Sequence, residues 1–396
     1  SREQLSELAG TDLSELELHR PYVDDVHFAC PACGKGEMSR VSELIDVWFD
    51  SGAMPFAQWH YPLENQEEFE QQFPADFICE AVDQTRGWFY SLHAISTIVQ
   101  DSEAFKNCIC LGLILDEHGQ KMSKSKGNVV DPWDVLNVYG ADPMRWYMYT
   151  ASPPGNDRNF SKELVGEVVR SFMLTLWNTY SFFVTYANLD KWTPDSAIIP
   201  QFSGLDDWLL SSLETLVRDV TYAYDHYDVV GATRPIEKFV DDLSNWYLRR
   251  SRRRFWKSES DADKAAAYET LYKALVTLSK LIAPSMPFMA ETLYRNLVTS
   301  VDPEAPISVH LADWPQVDES LIDENLNRDM SLVMKLASLG HSARNKSNIK
   351  VRQPLAEAAF AVGKAEEGDV IQRFGDILED ELNVSGSDYW MAAKKL

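Results

Sequence analysis

Two short apolar runs stand out in the first third of the chain, Ala75–Glu80 (ADFICE) and Asn107–Leu115 (NCICLGLIL). Their length and their Ile, Leu and Phe content predict buried strands. Gly87–Val99 between them has helical length and spacing. Strand, helix, strand predicts a parallel βαβ unit with a right-handed crossover. Ligands of such sheets sit outside the carboxyl ends of the strands. That puts Glu80–Gly87 and the segment after Leu115 on one rim. Beyond Ser161 the period becomes helical over about 161–189, 205–226, 232–257 and 261–282, with Pro284 and Pro287 as a stop. This half predicts an α-helical bundle. Residues 300–330 are punctuated by proline, 331–396 predict a helix and a small α/β tail, and 1–40 are polar and irregular. The expected class is α/β plus α.

Composition narrows the picture. The 396 residues are 45% hydrophobic and 25% charged, which suits two or three folded domains and excludes a disordered chain. Lys+Arg is 37 against Asp+Glu 61, a net charge of −24, like the acidic surface of a halophile's protein. Such a charge repels polyanions at long range, so a nucleic-acid partner needs a local basic patch. Arg249, Arg250, Arg252, Arg253 and Arg254 supply one, five arginines in six residues. His341 to Pro354 supplies another, with Arg344, Lys346, Lys350 and Arg352 and no acid. The guanidinium fork suits phosphate. The plainer alternative is internal pairing with acids such as Asp241 and Asp242.

Ser171–Leu189 carries no charge over 19 residues, yet seven of them are Ser, Thr or Asn, so a buried helix is expected and not a membrane span. Residues 1–21 have no apolar core and do not read as a signal peptide. Five cysteines are too few and too uneven for a disulfide scaffold, which predicts a reducing, cytoplasmic setting. Cys108 and Cys110 fall in a predicted strand and are expected in the core. Cys30-x-x-Cys33 is half of a zinc knuckle, since a tetrahedral site needs four ligands.

The sharpest signal is Lys121-Met122-Ser123-Lys124-Ser125, which follows a strand and a turn and leads to a helix start at Asp131-Pro132. A given pentapeptide arises by chance in such a chain with a probability on the order of 10⁻⁴. Lysines and small hydroxyl residues on a loop can close over a triphosphate and neutralise a pyrophosphate leaving group. No GxxxxGK[ST] competes with it.

KMSKS resembles the signature of the class I aminoacyl-tRNA synthetases. Ile45-Asp46-Val47-Trp48-Phe49-Asp50-Ser51-Gly52, Phe73-Pro74-Ala75-Asp76, Glu80 to Phe89 (EAVDQTRGWF) and Asp242 to Tyr247 (DLSNWY) resemble the isoleucyl-tRNA synthetase family, over a stretch from about Tyr22 to the C-terminus. The resemblance implies the second half of a Rossmann-type nucleotide-binding fold, an anticodon-binding bundle and a small α/β tail. By domain it implies the end of a connective insertion at 1–40, the catalytic half with its loop at 41–128 and a connecting segment at 129–160. The bundle then takes 161–330 and a C-terminal junction region 331–396. Lys121 and Lys124 are the implied catalytic residues, and the whole of Lys121–Ser125, Met122, Ser123 and Ser125 included, the implied ATP site. Trp48 and Trp88 would wall the isoleucine side chain, a flat apolar slot. Glu80, Asp83 and Gln84 would contact the aminoacyl-adenylate. Arg249, Arg250, Arg252, Arg253, Arg254, Lys350 and Arg352 would bind tRNA.

The implied activity is ATP-dependent formation of isoleucyl-adenylate and transfer to tRNA(Ile), with Mg²⁺ on the nucleotide, by a monomer that meets neither DNA nor membrane. The family's HIGH tetrapeptide, its editing domain and its second CxxC have no counterpart in the sequence. This chain alone is therefore expected to be inactive, with Zn²⁺ at a half-site. A valyl enzyme, a nucleotidyltransferase of the same fold, or a tRNA-binding module without catalysis are the competing expectations.

Overall fold

The alternation of short strand and helix patterns resolves into real elements in the computed structural model, which describes residues 1–43, 47–195, 197–257 and 260–391, with only the backbone at Lys124. Two compact units form, Ser1–Leu111 and Gly112–Leu396.

The first unit opens with helix α1 (Arg2–Ala9) and an antiparallel hairpin of β1 (His27–Ala29) and β2 (Glu37–Ser39). Short helices α2 (Val47–Gly52), α3 (Met54–Ala57) and α4 (Gln66–Gln72) lead to the predicted βαβ unit. Strand β3 (Ala75–Ala81), helix α5 (Trp88–Gln100) and strand β4 (Phe105–Leu111) pair in parallel, from Ala75 opposite Phe105 to Ala81 opposite Leu111. One face packs through Ile78 onto Phe89, Leu92 and Ala104. Phe56, Phe69 and Ile95 form a second small core, with the Tyr61 and Phe69 rings 3.9 Å apart.

The strands are not buried as expected. Only Ile78 is fully buried in either of them; Phe77, Cys79 and Cys108 are exposed. Cys110 is half-buried against the Ile78 cluster. In a two-stranded sheet each strand is an edge and α5 covers one face, so an apolar run does not imply two buried faces. Cys108 and Cys110 are therefore not core residues.

In the second unit β5 (Ile114–Leu115) pairs in parallel with β6 (Arg158–Asn159), and helices α6 (Pro132–Tyr139) and α7 (Ala141–Thr150) lie between them in sequence. The bundle follows: α8 (Lys162–Val168), α9 (Leu174–Asp190), α10 (Gly204–Asp225), α11 (Val229–Asp242), α12 (Arg249–Trp256), α13 (Asp261–Ile282) and α14 (Pro287–Tyr294). Single π turns at Val169–Met173 and Leu243–Leu248 join α8 to α9 and α11 to α12. The patterns at 161–189 and 232–257 are thus each one helix with a local widening, and those at 205–226 and 261–282 are unbroken α-helices. Ser161, Ser203 and Ser260 cap α8, α10 and α13 by accepting a backbone N–H, as good N-caps do.

Along 171–189 one face is buried (Leu176, Thr179, Tyr180, Phe183, Ala187), while Leu174, Trp177 and Leu189 are exposed. Among the described residues no helix is long and apolar enough to cross a membrane. Arg145 ties α7 to the end of α13 through the carbonyls of Pro284 and Ser285, and Trp146 donates to Glu237 at 2.6 Å. The tail is helix α15 (Glu324–Lys346), strand β7 (Ala358–Val362), helices α16 (Ala365–Arg373) and α17 (Gly375–Leu382), and strand β8 (Ser387–Met391) parallel to β7.

Candidate active site and nucleic-acid interface

The rim beyond β3 is built by close packing of α2 on α5. A Cβ on Gly52 would lie 2.7 Å from the Ser91 carbonyl, so only glycine permits this approach. The contact brings Trp88 Nε1 to the Ser51 carbonyl at 3.0 Å. It also lays the tip of the Trp48 ring against Gly87, where a Cβ would meet it at 2.9 Å. Gln84 Oε1 accepts from the Trp88 backbone N–H at 3.2 Å, and its amide reaches Asp83 at 3.4 Å. Trp48, Gln84, Gly87 and Trp88 therefore form one cluster, with Trp48 43% exposed. Glu80, next to last in β3, is exposed, as is Asp83. The five residues expected to hold the adenylate, Trp48, Glu80, Asp83, Gln84 and Trp88, lie around the end of β3. Ile45 and Asp46 of the motif lie outside the described residues.

In the second unit the lysine loop hangs from a clasp. Asp116 Oδ1 accepts from the N–H groups of His118 and Gln120, at 3.0 and 2.8 Å, closing the turn. Its Oδ2 accepts from Asn128 Nδ2 at 2.8 Å. Asn128 also accepts from the Ser123 N–H at 2.9 Å and donates to the Lys121 carbonyl. The Asn128 amide, then the Gln120 backbone, hold the Asp116 carboxyl below the ordinary aspartate value. Lys121 is exposed and bridges to Leu115. Met122 packs against Val135, Phe160 and Val165 and so anchors the loop from below. The Ser123 and Ser125 hydroxyls lie 3.2 Å apart, and 124–126 forms a 3-10 turn. The side chain of Lys124 lies outside the described residues.

The arginine cluster divides. Arg249 and Arg250 both bind Glu381, at 2.6 and 2.9 Å, and Arg250 also binds Asp380 at 3.1 Å. Arg254 makes a fork to both oxygens of Asp206 at 2.8 Å and a third bond to Asp263. Burial pushes the Asp206 carboxyl up, but the Arg254 hydrogen bonds and charge outweigh it and the pKa ends below the ordinary value. Tyr247 donates to the same carboxylate at 2.6 Å. Arg249, Arg250 and Arg254 thus pair with the protein's own carboxylates, Arg249 with 46% of its side chain still exposed. Their partners are not Asp241 and Asp242, which take Asn245 and Lys238. Arg252 and Arg253 are exposed and make no ion pair among the described residues. In the second tract Arg344 is buried and caps four carbonyls, of Lys350, Gln353, Leu382 and Asn383. Lys350 and Arg352 are exposed.

Cys30 and Cys33 sit in the turn between β1 and β2, with the Gly36 N–H 3.5 Å from the Cys33 sulfur. The Lys35 and Gly36 backbones draw the Cys33 thiol below its ordinary value. Among the described residues no third Cys, His, Asp or Glu joins them in a metal-binding group. Two thiols do not complete a tetrahedral zinc site, so this chain's residues do not fit a resident zinc.

Residues 3–161 match the family model "tRNA synthetases class I (I, L, M and V)", and residues 206–359 match "Anticodon-binding domain of tRNA ligase". The chain is 57% identical over 374 residues to an isoleucine–tRNA ligase of Dehalococcoides mccartyi, covering 93% of this chain and 37% of that protein. It is 52% identical to one from Clostridium acetobutylicum (98% and 37%) and 55% identical to one from Thermus thermophilus (92% and 35%). The chain belongs to the class I tRNA synthetases, in the isoleucine–tRNA ligase family.

The chain spans little more than a third of the length of those relatives. Its fold resembles an Agrobacterium radiobacter K84 leucyl-tRNA synthetase solved with tRNA and LeuAMS, with TM-score 0.59 and 20% identity over 79% of this chain and 37% of that one. It also resembles a Mycobacterium tuberculosis methionyl-tRNA synthetase with methionyl-adenylate, with TM-score 0.55 and 23% identity over 72% and 61%. Sequence reasoning missed the Asp116–Asn128 clasp and the Gly52 and Gly87 contacts. The Asp116–Gly119 turn and the Gly127-Asn128 pair flanking the lysines were the available signal.

Proposed function

We propose that the protein to which this chain belongs activates isoleucine with ATP and transfers it to tRNA(Ile). The observation that carries the reading is the clasped lysine loop in a chain 50–57% identical to isoleucine–tRNA ligases. ATP enters as its magnesium complex. An oxygen of the isoleucine carboxylate attacks the α-phosphorus in line, the bond to the β-phosphate bridge breaks, and pyrophosphate leaves. A ribose hydroxyl at the tRNA end then attacks the adenylate carbonyl and AMP leaves.

Lys121 and Lys124 neutralise the charge that grows on the departing pyrophosphate, which accelerates the step because the contact strengthens in the transition state. Ser123 and Ser125 offer hydroxyls to the nucleotide, and Met122 holds the loop to its base. Trp48 and Trp88 wall the aliphatic side chain, while Glu80, Asp83 and Gln84 accept from ribose hydroxyls and the amino group. Arg252, Arg253, Lys350 and Arg352 meet RNA phosphates. Catalysis is positioning and charge stabilisation, without a covalent enzyme intermediate. The domain limits 1–40, 41–128, 129–160, 161–330 and 331–396 belong to the same reading, with a cytoplasmic setting and a monomer. No step runs through zinc. None of the relatives described favours a valyl enzyme.

Aminoacylation by the full-length protein tests the reading. It should charge tRNA(Ile) transcripts with isoleucine and leave tRNA(Val) with valine uncharged at the same enzyme concentration. Preferential charging of tRNA(Val) would overturn it.

A further inference from the structure

One side chain closes the neck of the lysine loop. Asn128 Oδ1 accepts from the Ser123 N–H at 2.9 Å, while its Nδ2 donates to the Lys121 carbonyl at 3.3 Å and to Asp116 Oδ2 at 2.8 Å. The carboxamide thus commits its oxygen and both of its hydrogens. Gly127, at a left-handed φ of 67°, turns the chain back toward this contact. Asp116 is buried, and its other oxygen is taken by the His118 and Gln120 N–H groups. An ionised carboxylate only accepts, so it draws the Asn128 NH₂ toward itself and leaves Oδ1 for Ser123.

The rest of the loop is held elsewhere. Lys121 has a second attachment in its bridge to Leu115, and Met122 packs against Val135, Phe160 and Val165. Residues 123–126 hold mainly to one another, with the Lys126 N–H donating to the Ser123 carbonyl at 3.1 Å. Among the described residues no other hydrogen bond ties this turn to the chain around it. Its position therefore depends on one amide. A carboxylate at 128 has no donor for Lys121 and faces Asp116 as a like charge, and a methyl group leaves the neck open.

We propose that Asn128 is a positioning residue for the adenylation step, acting through Ser123–Lys126, and that Asp116 sets the orientation of its amide. The inference rests on the isoleucine–tRNA ligase reading and adds to it two residues that act through the loop and not on the substrate.

The test uses the full-length protein, with isoleucine-dependent ATP–pyrophosphate exchange, thermal unfolding and limited trypsin digestion as readouts. N128A should lower kcat of exchange about 10- to 100-fold, the effect of a charge displaced by about 1 Å. KM for isoleucine and the melting temperature should stay at the parent values, while trypsin cuts after Lys124 and Lys126 about tenfold faster. K124A/N128A should lose little more than K124A alone, because nothing is left to position. N128D should be slower than N128A, and D116N/N128D should recover about tenfold over N128D, since the swap restores a donor and an acceptor at that contact. N128A at the parent kcat, losses that multiply in K124A/N128A, or no recovery in the swap would each overturn the assignment. Absence of exchange in the parent sinks the ligase reading and this assignment together. Exchange in the parent with N128A at the parent rate sinks the assignment alone.

Discussion

Lys124→Ala in the full-length protein should slow isoleucyl-adenylate formation by about 100- to 1,000-fold, the cost of removing one preorganised charge at a developing anion. The loss should fall on the rate of the first step, because a contact that strengthens toward the transition state contributes little to substrate affinity. Affinity for tRNA should be unchanged, since the proposed function puts phosphate of the nucleotide, and not of the RNA, on this loop. Rapid-quench measurement of adenylate formation, alongside filter binding of tRNA(Ile), reads both quantities. A variant that activates isoleucine normally but no longer binds tRNA would remove the lysine loop from the chemistry. The clasp explains why one lysine matters this much. Asp116 and Asn128 hold the loop backbone at Gln120 and at Ser123, so those points need no ordering during the reaction.

Arg254→Ala should cost stability and leave RNA recognition intact. The guanidinium is largely buried and forked on a fully buried carboxylate. Removing it leaves Asp206 charged and desolvated with only Tyr247 and Ser203 as partners. Breaking such a pair from one side costs about 3–5 kcal/mol. Chemical denaturation at neutral pH should show that loss, while the folded fraction binds tRNA with the parent affinity. The sign with pH follows from the Asp206 carboxyl, held below its ordinary value in the folded protein. The pair's contribution is full above about pH 4 and is lost as pH falls through the folded value, so the deficit of the variant shrinks in acid. A variant of normal stability with weakened tRNA binding would return Arg254 to the interface.

These two residues mark what the sequence carried and what it withheld. The motif around Lys121–Ser125 is contiguous, and its strand, turn and helix start are local signals, so its place on the fold was legible. The βαβ unit was legible for the same reason, because period and length of 75–115 are properties of neighbouring residues. Burial of its strands was not, since that depends on what covers the second face. The partners of the arginines were hidden in the same way. A cluster of charge is visible in six residues, but Glu381 lies 132 residues from Arg249 and Asp206 lies 48 from Arg254. Only the folded bundle shows that three of the five are spent on pairs of this kind, and that Arg252 and Arg253 remain. The tryptophan cluster was half legible. The motifs around Trp48 and Trp88 were visible, but the glycines that let α2 approach α5 acquire meaning only from the contact they permit.

Amino-acid-dependent ATP–pyrophosphate exchange, run on the full-length protein with isoleucine, valine, leucine and methionine in parallel, tests the central claim most directly. The account predicts the highest kcat/KM for isoleucine, with exchange lowered about 100- to 1,000-fold by Lys124→Ala. Exchange led by another of the four amino acids, or undiminished in the lysine variant, would contradict it.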